Sequence, residues 1–150
     1  MIISTLLTIK TVRLERSKQA VDQQMLTVQA ARYRYQQSVE EQQAFAQWRI
    51  AEETRLFEAC KARVLDQHGL TQWQQRVAEL RCQQARREEL VAEQQACLVR
   101  EQECYQQCRQ RYRLAQQQTE KFQQLSQHGL EEKKRLLEYQ EEQELEEYRP

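Results

Sequence analysis

The sequence predicts an all-α protein: an antiparallel two-helix coiled-coil hairpin with a C-terminal overhang. Three observations carry that expectation. The 150-residue chain holds two glycines and one proline, and the proline is its last residue; these are the residues that most readily interrupt a helix. On both sides of Gly69 run stretches of Gln, Glu, Arg, Lys, Leu and Ala, which cost little to hold in a helix. Apolar residues also recur at heptad spacing on both sides. With 39% hydrophobic and 31% charged residues and a mean hydropathy of −0.99, the chain is too polar for a multilayered globule. It has enough apolar residues for a narrow seam between two helices, which needs only two or three positions in seven.

The first helix is expected over about 2–66. Leu7, Leu14, Val21, Val28 and Tyr35 are spaced by seven, with Ile3, Ala31 and Phe45 at the interleaved position. After Tyr35 the apolar phase changes. Val39 and Ala46 continue at one new phase, and Ile50, Phe57 and Val64 at the other. The step from Tyr35 to Val39 reads as a four-residue stutter, which locally unwinds a supercoil. The high Gln content alone would suit a disordered tract, but this regular spacing argues against disorder.

A turn is expected over about 67–71, around Asp66-Gln67-His68-Gly69. The second helix then spans about 72–147. One row is Val77, Gln84, Val91, Leu98, Tyr105, Tyr112 and Thr119; the other is Trp73, Leu80, Arg87, Gln94, Glu101, Cys108, Ala115 and Phe122. Polar residues at such positions weaken a seam but fix its register. Residues 1–150 thus read as a single coiled-coil hairpin.

A turn near Gly69 sets the pairing, because antiparallel helices rise equally per residue. Facing residue numbers should then add to about 137. Leu56 would face the Leu80–Cys82 region, Val39 would face Leu98, Leu14 would face Phe122 and Leu125, and Leu7 would face Leu130. Each arm would extend on the order of 100 Å. Residues beyond about Leu137 would have no partner and overhang as a lone helix or a loose tail. Gly129 would mark a kink or the onset of fraying.

Charge and cysteine content narrow the function classes. The 23 basic and 23 acidic residues cancel, whereas non-specific nucleic-acid binders usually carry a basic excess. The exception to local balance is Glu138 to Glu147, with six glutamates and no basic residue. The opening apolar run from Met1 to Ile9 is too short to span a membrane. It also lacks the flanks of a signal peptide, so a cytoplasmic location is expected. Cys60, Cys82, Cys97, Cys104 and Cys108 form an odd set, which speaks against a disulfide framework. Cys104 and Cys108 share a helical face and could present two thiolates to a metal, but His68 and His128 are far away in sequence. Small apolar seam and flank residues are the expected role. No Ser/His/Asp, Cys/His or Gly-rich phosphate motif is present, so neither catalysis nor a cofactor is expected. The pairs Glu40-Glu41, Glu52-Glu53 and Glu131-Glu132 read as solvated faces.

Two places stand out as binding candidates. Lys10, Arg13, Arg16 and Lys18 cluster near the N-terminus and could dock on an acidic partner. Near the turn, Leu70, Trp73 and Val77 have little facing surface. Trp73 either caps its own core or anchors a partner.

Four segments add a resemblance. Val12-Arg13-Leu14-Glu15-Arg16-Ser17-Lys18-Gln19-Ala20 and Trp48-Arg49-Ile50-Ala51-Glu52-Glu53-Thr54-Arg55-Leu56-Phe57 resemble the first-helix segments of the YscO-type stalk proteins of type III secretion systems. Leu70-Thr71-Gln72-Trp73-Gln74 and Tyr139-Gln140-Glu141-Glu142-Gln143-Glu144 extend the resemblance over essentially the whole chain. It implies a non-catalytic central stalk, related to the flagellar export protein FliJ and shaped like the γ-subunit coiled coil of rotary ATPases. The open end would insert into a hexameric secretion ATPase. The turn would face the export gate, peripheral to the inner membrane, and some members also bind secretion chaperones. Carried onto this chain, Lys10, Arg13, Arg16, Tyr139, Glu141 and Glu142 become candidate ATPase contacts, and Leu70 and Trp73 candidate gate contacts. A chaperone escort and a generic structural coiled coil are the alternative roles.

Overall fold

The computed structural model describes residues 2–63 and 66–147. It contains two helices, α1 (Ile2–Ala62) and α2 (Gln67–Glu147), and no strand among the described residues. The architecture is the expected antiparallel two-helix hairpin with a C-terminal overhang. The chain divides into two compact units, one holding residues 25–104 with the turn, the other holding 1–24 and 105–150 with both termini.

The turn lies earlier than the expected 67–71. Helix α1 ends at Ala62, and Gln67 to Thr71 already belong to α2. Asp66 starts that helix: its Oδ1 accepts a hydrogen bond from the Gly69 amide at 2.7 Å, and its carbonyl accepts one from the Leu70 amide at 3.2 Å. An aspartate whose side chain takes up a free first-turn amide is an N-cap. Gly69 is therefore a helical residue and has no positive φ. Its missing side chain leaves room beside the cap, since a Cβ at this position would sit 3.0 Å from Asp66 Oδ1.

Moving the turn back changes the register. In the turn unit the facing numbers add to 134 for Glu53–Arg81, 133 for Arg49–Gln84, 132 for Phe45–Arg87 and 130 for Phe57–Trp73. In the termini unit they add to 128 for Lys10–Gln118 and 132 for Lys10–Phe122. The expected 137 is too high because its turn was centred on the glycine, whereas Gln67 to Thr71 are already part of α2. Phe122 accordingly meets Lys10, and Leu125 and Leu130 are exposed at 45% and 62%.

Within the turn unit the dry core is small: Val28, Ala31 and Leu80, and Ser38 is buried as well. No stutter follows Tyr35. Ser38, Gln42, Arg49, Glu52 and Leu56 continue the heptad positions of the first half as buried or half-buried residues. Val39, Ala46, Glu53 and Cys60 widen the stripe beside them. Ile50 and Phe57, expected in the seam, are 58% and 46% exposed, and Val64 lies outside the described residues. The phase persists because its polar members find partners. Ser38 Oγ donates to the Tyr35 carbonyl at 2.7 Å, and Arg49 donates to Gln84 and pairs with Glu53 at 2.9 Å. Glu53 also takes Arg81 from α2 at 3.4 Å. Glu52 and Glu53 are thus half-buried and engaged, not a solvated face. Such pairs favour one alignment of the helices more than they add stability.

Both rows expected on α2 lie along its buried or half-buried stripe, from Trp73 to Phe122. In the termini unit Thr119 is buried, and its hydroxyl lies 2.7 Å from the Ala115 carbonyl and 3.4 Å from that of Lys10. Past Gly129 the helix continues uninterrupted to Glu147. Every side chain from Leu130 to Glu147 is exposed, so the overhang begins before the expected Leu137. The physical reason is the register, which sets Ile2, the first described residue of α1, opposite about residue 129.

Candidate functional site

Three surfaces position the residues singled out by the sequence. The first is a basic groove in the termini unit, where α1 residues Lys10, Arg13, Arg16 and Ser17 face α2 residues Arg111, Leu114, Ala115 and Gln118 around a concavity of about 400 Å³. Lys10 is the anchored member. Its Nζ donates to Gln118 Oε1 at 3.0 Å and stands 5.6 Å from the centre of the Phe122 ring, an attractive placement for a cation. Arg13, Arg16 and Arg111 are exposed and form no ion pair among the described residues. Leu114 is 58% exposed in their midst. The lining contains no carboxylate, so the groove presents like charges around an apolar floor. Sequence reading found its α1 half. It missed Arg111 and Leu114, which lie off the seam and reach the groove only through the true register; an Arg-x-x-Leu spacing on one helical face was the available signal.

The second surface is the overhang. Leu130, Leu136, Leu137, Tyr139 and Leu145 are each between 58% and 68% exposed. The Tyr139 hydroxyl accepts a hydrogen bond from Gln143 at 2.8 Å, and the ring flanks a shallow hollow with Glu132, Arg135 and Leu136. Glu141 and Glu142 are exposed and unpaired among the described residues. Tyr139, Glu141 and Glu142 belong to the same unit as the basic groove but do not line it.

The third surface surrounds the turn. Leu70 is 40% exposed. Trp73 is half-buried, its ring 6.1 Å from that of Phe57 at a 47° tilt. The tilt is a favoured arrangement for an aromatic pair. Its Nε1 is buried without an acceptor among the described residues. Trp73 lines a groove of about 600 Å³ with Arg55, Arg63, His68 and Arg76; Leu70 does not line it. Arg55 is bound to Glu52 by two hydrogen bonds, at 2.6 and 2.9 Å. That pairing holds the Glu52 carboxyl below its usual value and raises Arg55. Half-buried Val77 belongs to the seam.

Among the described residues, no group of three His, Cys, Asp or Glu side chains is arranged to hold a metal, and no helix is long and apolar enough to cross a membrane. Cys60, Cys97 and Cys108 are half-buried, Cys82 and Cys104 exposed, and all five are free thiols. These surfaces can recognise partners by charge and by exposed apolar side chains.

Residues 3–149 match the family model described as type III secretion protein YscO. A segment of 77 residues, 51% of the chain, is 39% identical to Yop proteins translocation protein O of Yersinia pseudotuberculosis serotype I (strain IP32953), of which it spans 50%. The fold is similar to the 2.8 Å crystal structure of type III secretion protein YscO from Vibrio parahaemolyticus. The TM-score is 0.92 at 33% identity, over 99% of this chain and 93% of the other. With the family's sequence pattern matched over nearly the whole length and the fold similar to that of a solved YscO, this chain belongs to the YscO family of type III secretion proteins.

Proposed function

We propose that this chain is a non-catalytic central stalk that couples a hexameric secretion ATPase to the export gate of a type III secretion apparatus. The observation that carries the reading is the overhang: 18 helical residues, Leu130 to Glu147, exposed along their whole length in the unit that also bears the basic groove. A helix in water keeps so many apolar side chains uncovered at a cost, and insertion into a partner removes it. Tyr139, Glu141 and Glu142, with Arg13 and Arg16, are the proposed ATPase contacts. Lys10 supports them from its bond to Gln118. An asymmetric helix pair in a six-fold ring cannot meet every subunit identically, so it biases their states. The turn unit, with exposed Leu70 and the groove beside Trp73, engages the gate. In this reading the protein works on the cytoplasmic side of the inner membrane, peripheral to the export apparatus.

The test is ATP hydrolysis by the cognate secretion ATPase, titrated with the full chain, with a variant ending at Gly129, and with Arg13→Glu/Arg16→Glu. Stimulation by the full chain and its loss in both variants is the expected outcome. Hydrolysis that stays flat across the full-chain titration rejects the stalk reading.

One observation favours a second reading, an escort that binds secretion chaperones. The outward face of α2 in the turn unit presents Ala92, Ala96 and Val99 around a hollow of about 660 Å³. Small residues there allow a partner helix to approach closely. Ala96→Arg should abolish chaperone capture in the absence of the ATPase; capture that persists rules out this face.

A further inference from the structure

The acidic half of the overhang and the basic groove are complementary, although each lies alone in one chain. Glu138, Glu141, Glu142 and Leu145 recur at helical spacing and so share one face of α2, all exposed. That face offers three carboxylates and one leucine. The groove offers Arg13, Arg16 and Arg111 with exposed Leu114, and no carboxylate.

The tail cannot reach the groove of its own chain. Helix α2 is continuous from Gln67 to Glu147, and from Gln118 to Glu138 it climbs about 30 Å away. Only a tail from another molecule can lie there. We propose that this face is a self-association site, and that two copies of the chain exchange their overhangs, each seating Glu138–Leu145 in the other's groove. Each copy gives one tail and receives one. Lys133, Lys134 and Arg135 precede the acidic stretch and match only the distal half of the tail to the groove. The exchange covers Leu114 and Leu145 and pairs three arginines with carboxylates. Because the charges are exposed, it weakens with salt. It also occupies the residues proposed to meet the ATPase, so the two-chain form is a stored state that a ring partner must displace.

The experiment is the solution mass of the full chain over a concentration series, at low and at high salt, with no ATPase present. The expected result is a rise from the single-chain 18.2 kDa towards twice that value, reversed by salt. Two charge reversals, Arg13→Glu/Arg16→Glu and Glu138→Lys/Glu141→Lys/Glu142→Lys, should each leave a single-chain species of unchanged helix content. Their equal mixture should restore the doubled mass. A wild-type chain that stays at single-chain mass under every condition overturns the proposal. So does a doubled species that neither reversal disturbs. Neither result depends on whether the ATPase is stimulated.

Discussion

Asp66 decides where α2 begins, and its effect is separable from packing. It is exposed, and its carboxylate holds a first-turn amide. Asp66→Ala should lower stability by about 1 kcal/mol, read as a drop in thermal midpoint, while Asp66→Ser should retain most of it. The two glycines make a paired comparison. Both are helical, where alanine is favoured by about 0.5–1 kcal/mol. Gly129 has nothing within 4 Å of an added Cβ, whereas Gly69 would press on the capping oxygen. Gly129→Ala should raise the midpoint, and Gly69→Ala should gain less or nothing. A larger gain at Gly69 than at Gly129 would mean that the Asp66 side chain yields to the added Cβ at no cost. Glu52 adds a pH dependence. The Arg55 hydrogen bonds depress its folded-state value below the usual 4.5. A depressed carboxylate contributes stability above its unfolded value and loses it as pH falls through the folded one. The stability difference between the native chain and Glu52→Gln should therefore be full at neutral pH and shrink below about 4. A difference that grows on acidification would reverse the assignment.

At the scale of elements, two helices of 61 and 81 residues rest on few dry contacts, which concentrates the cost of mutation. Leu80 is fully buried, so Leu80→Ala should cost about 2 kcal/mol or more. Ile50→Ala, at an exposed position, should stay within about 0.5 kcal/mol. Equal losses at the two sites would restore the seam phase that the apolar pattern alone suggested. That pattern was legible where it was continuous: every expected α2 row position lies in the stripe. It held at Val39 and Ala46, which are half-buried, but misled at Ile50 and Phe57, because it had no means of knowing that Ser38, Arg49 and Glu52 find partners and keep the earlier phase. The overhang has no facing helix, so a chain ending at Gly129 should lose ellipticity in proportion to the residues removed and keep its thermal midpoint. A large fall in midpoint would mean that residues 130–147 pack on something within the chain.

At the scale of the whole molecule, length, composition and heptad spacing were enough to determine the class: two long helices, antiparallel, with no net charge and an acidic C-terminal stretch. These follow from local preference and periodicity, which each segment carries by itself. The α1 half of the basic groove and the residues of the overhang were legible for the same reason. The register was not. It depends on which residue ends the turn, and a glycine is a weaker marker of that point than the aspartate three residues earlier, whose side chain can bond the backbone. Because α2 begins at Gln67, facing numbers add to between 128 and 134 and not to 137. That shift brought Lys10 to Phe122, set Arg111 and Leu114 opposite Arg13 and Arg16, and uncovered Leu130. The sequence determined what each helix is; only the tertiary structure decided which residues meet, because pairing is a property of two segments and of the turn that joins them.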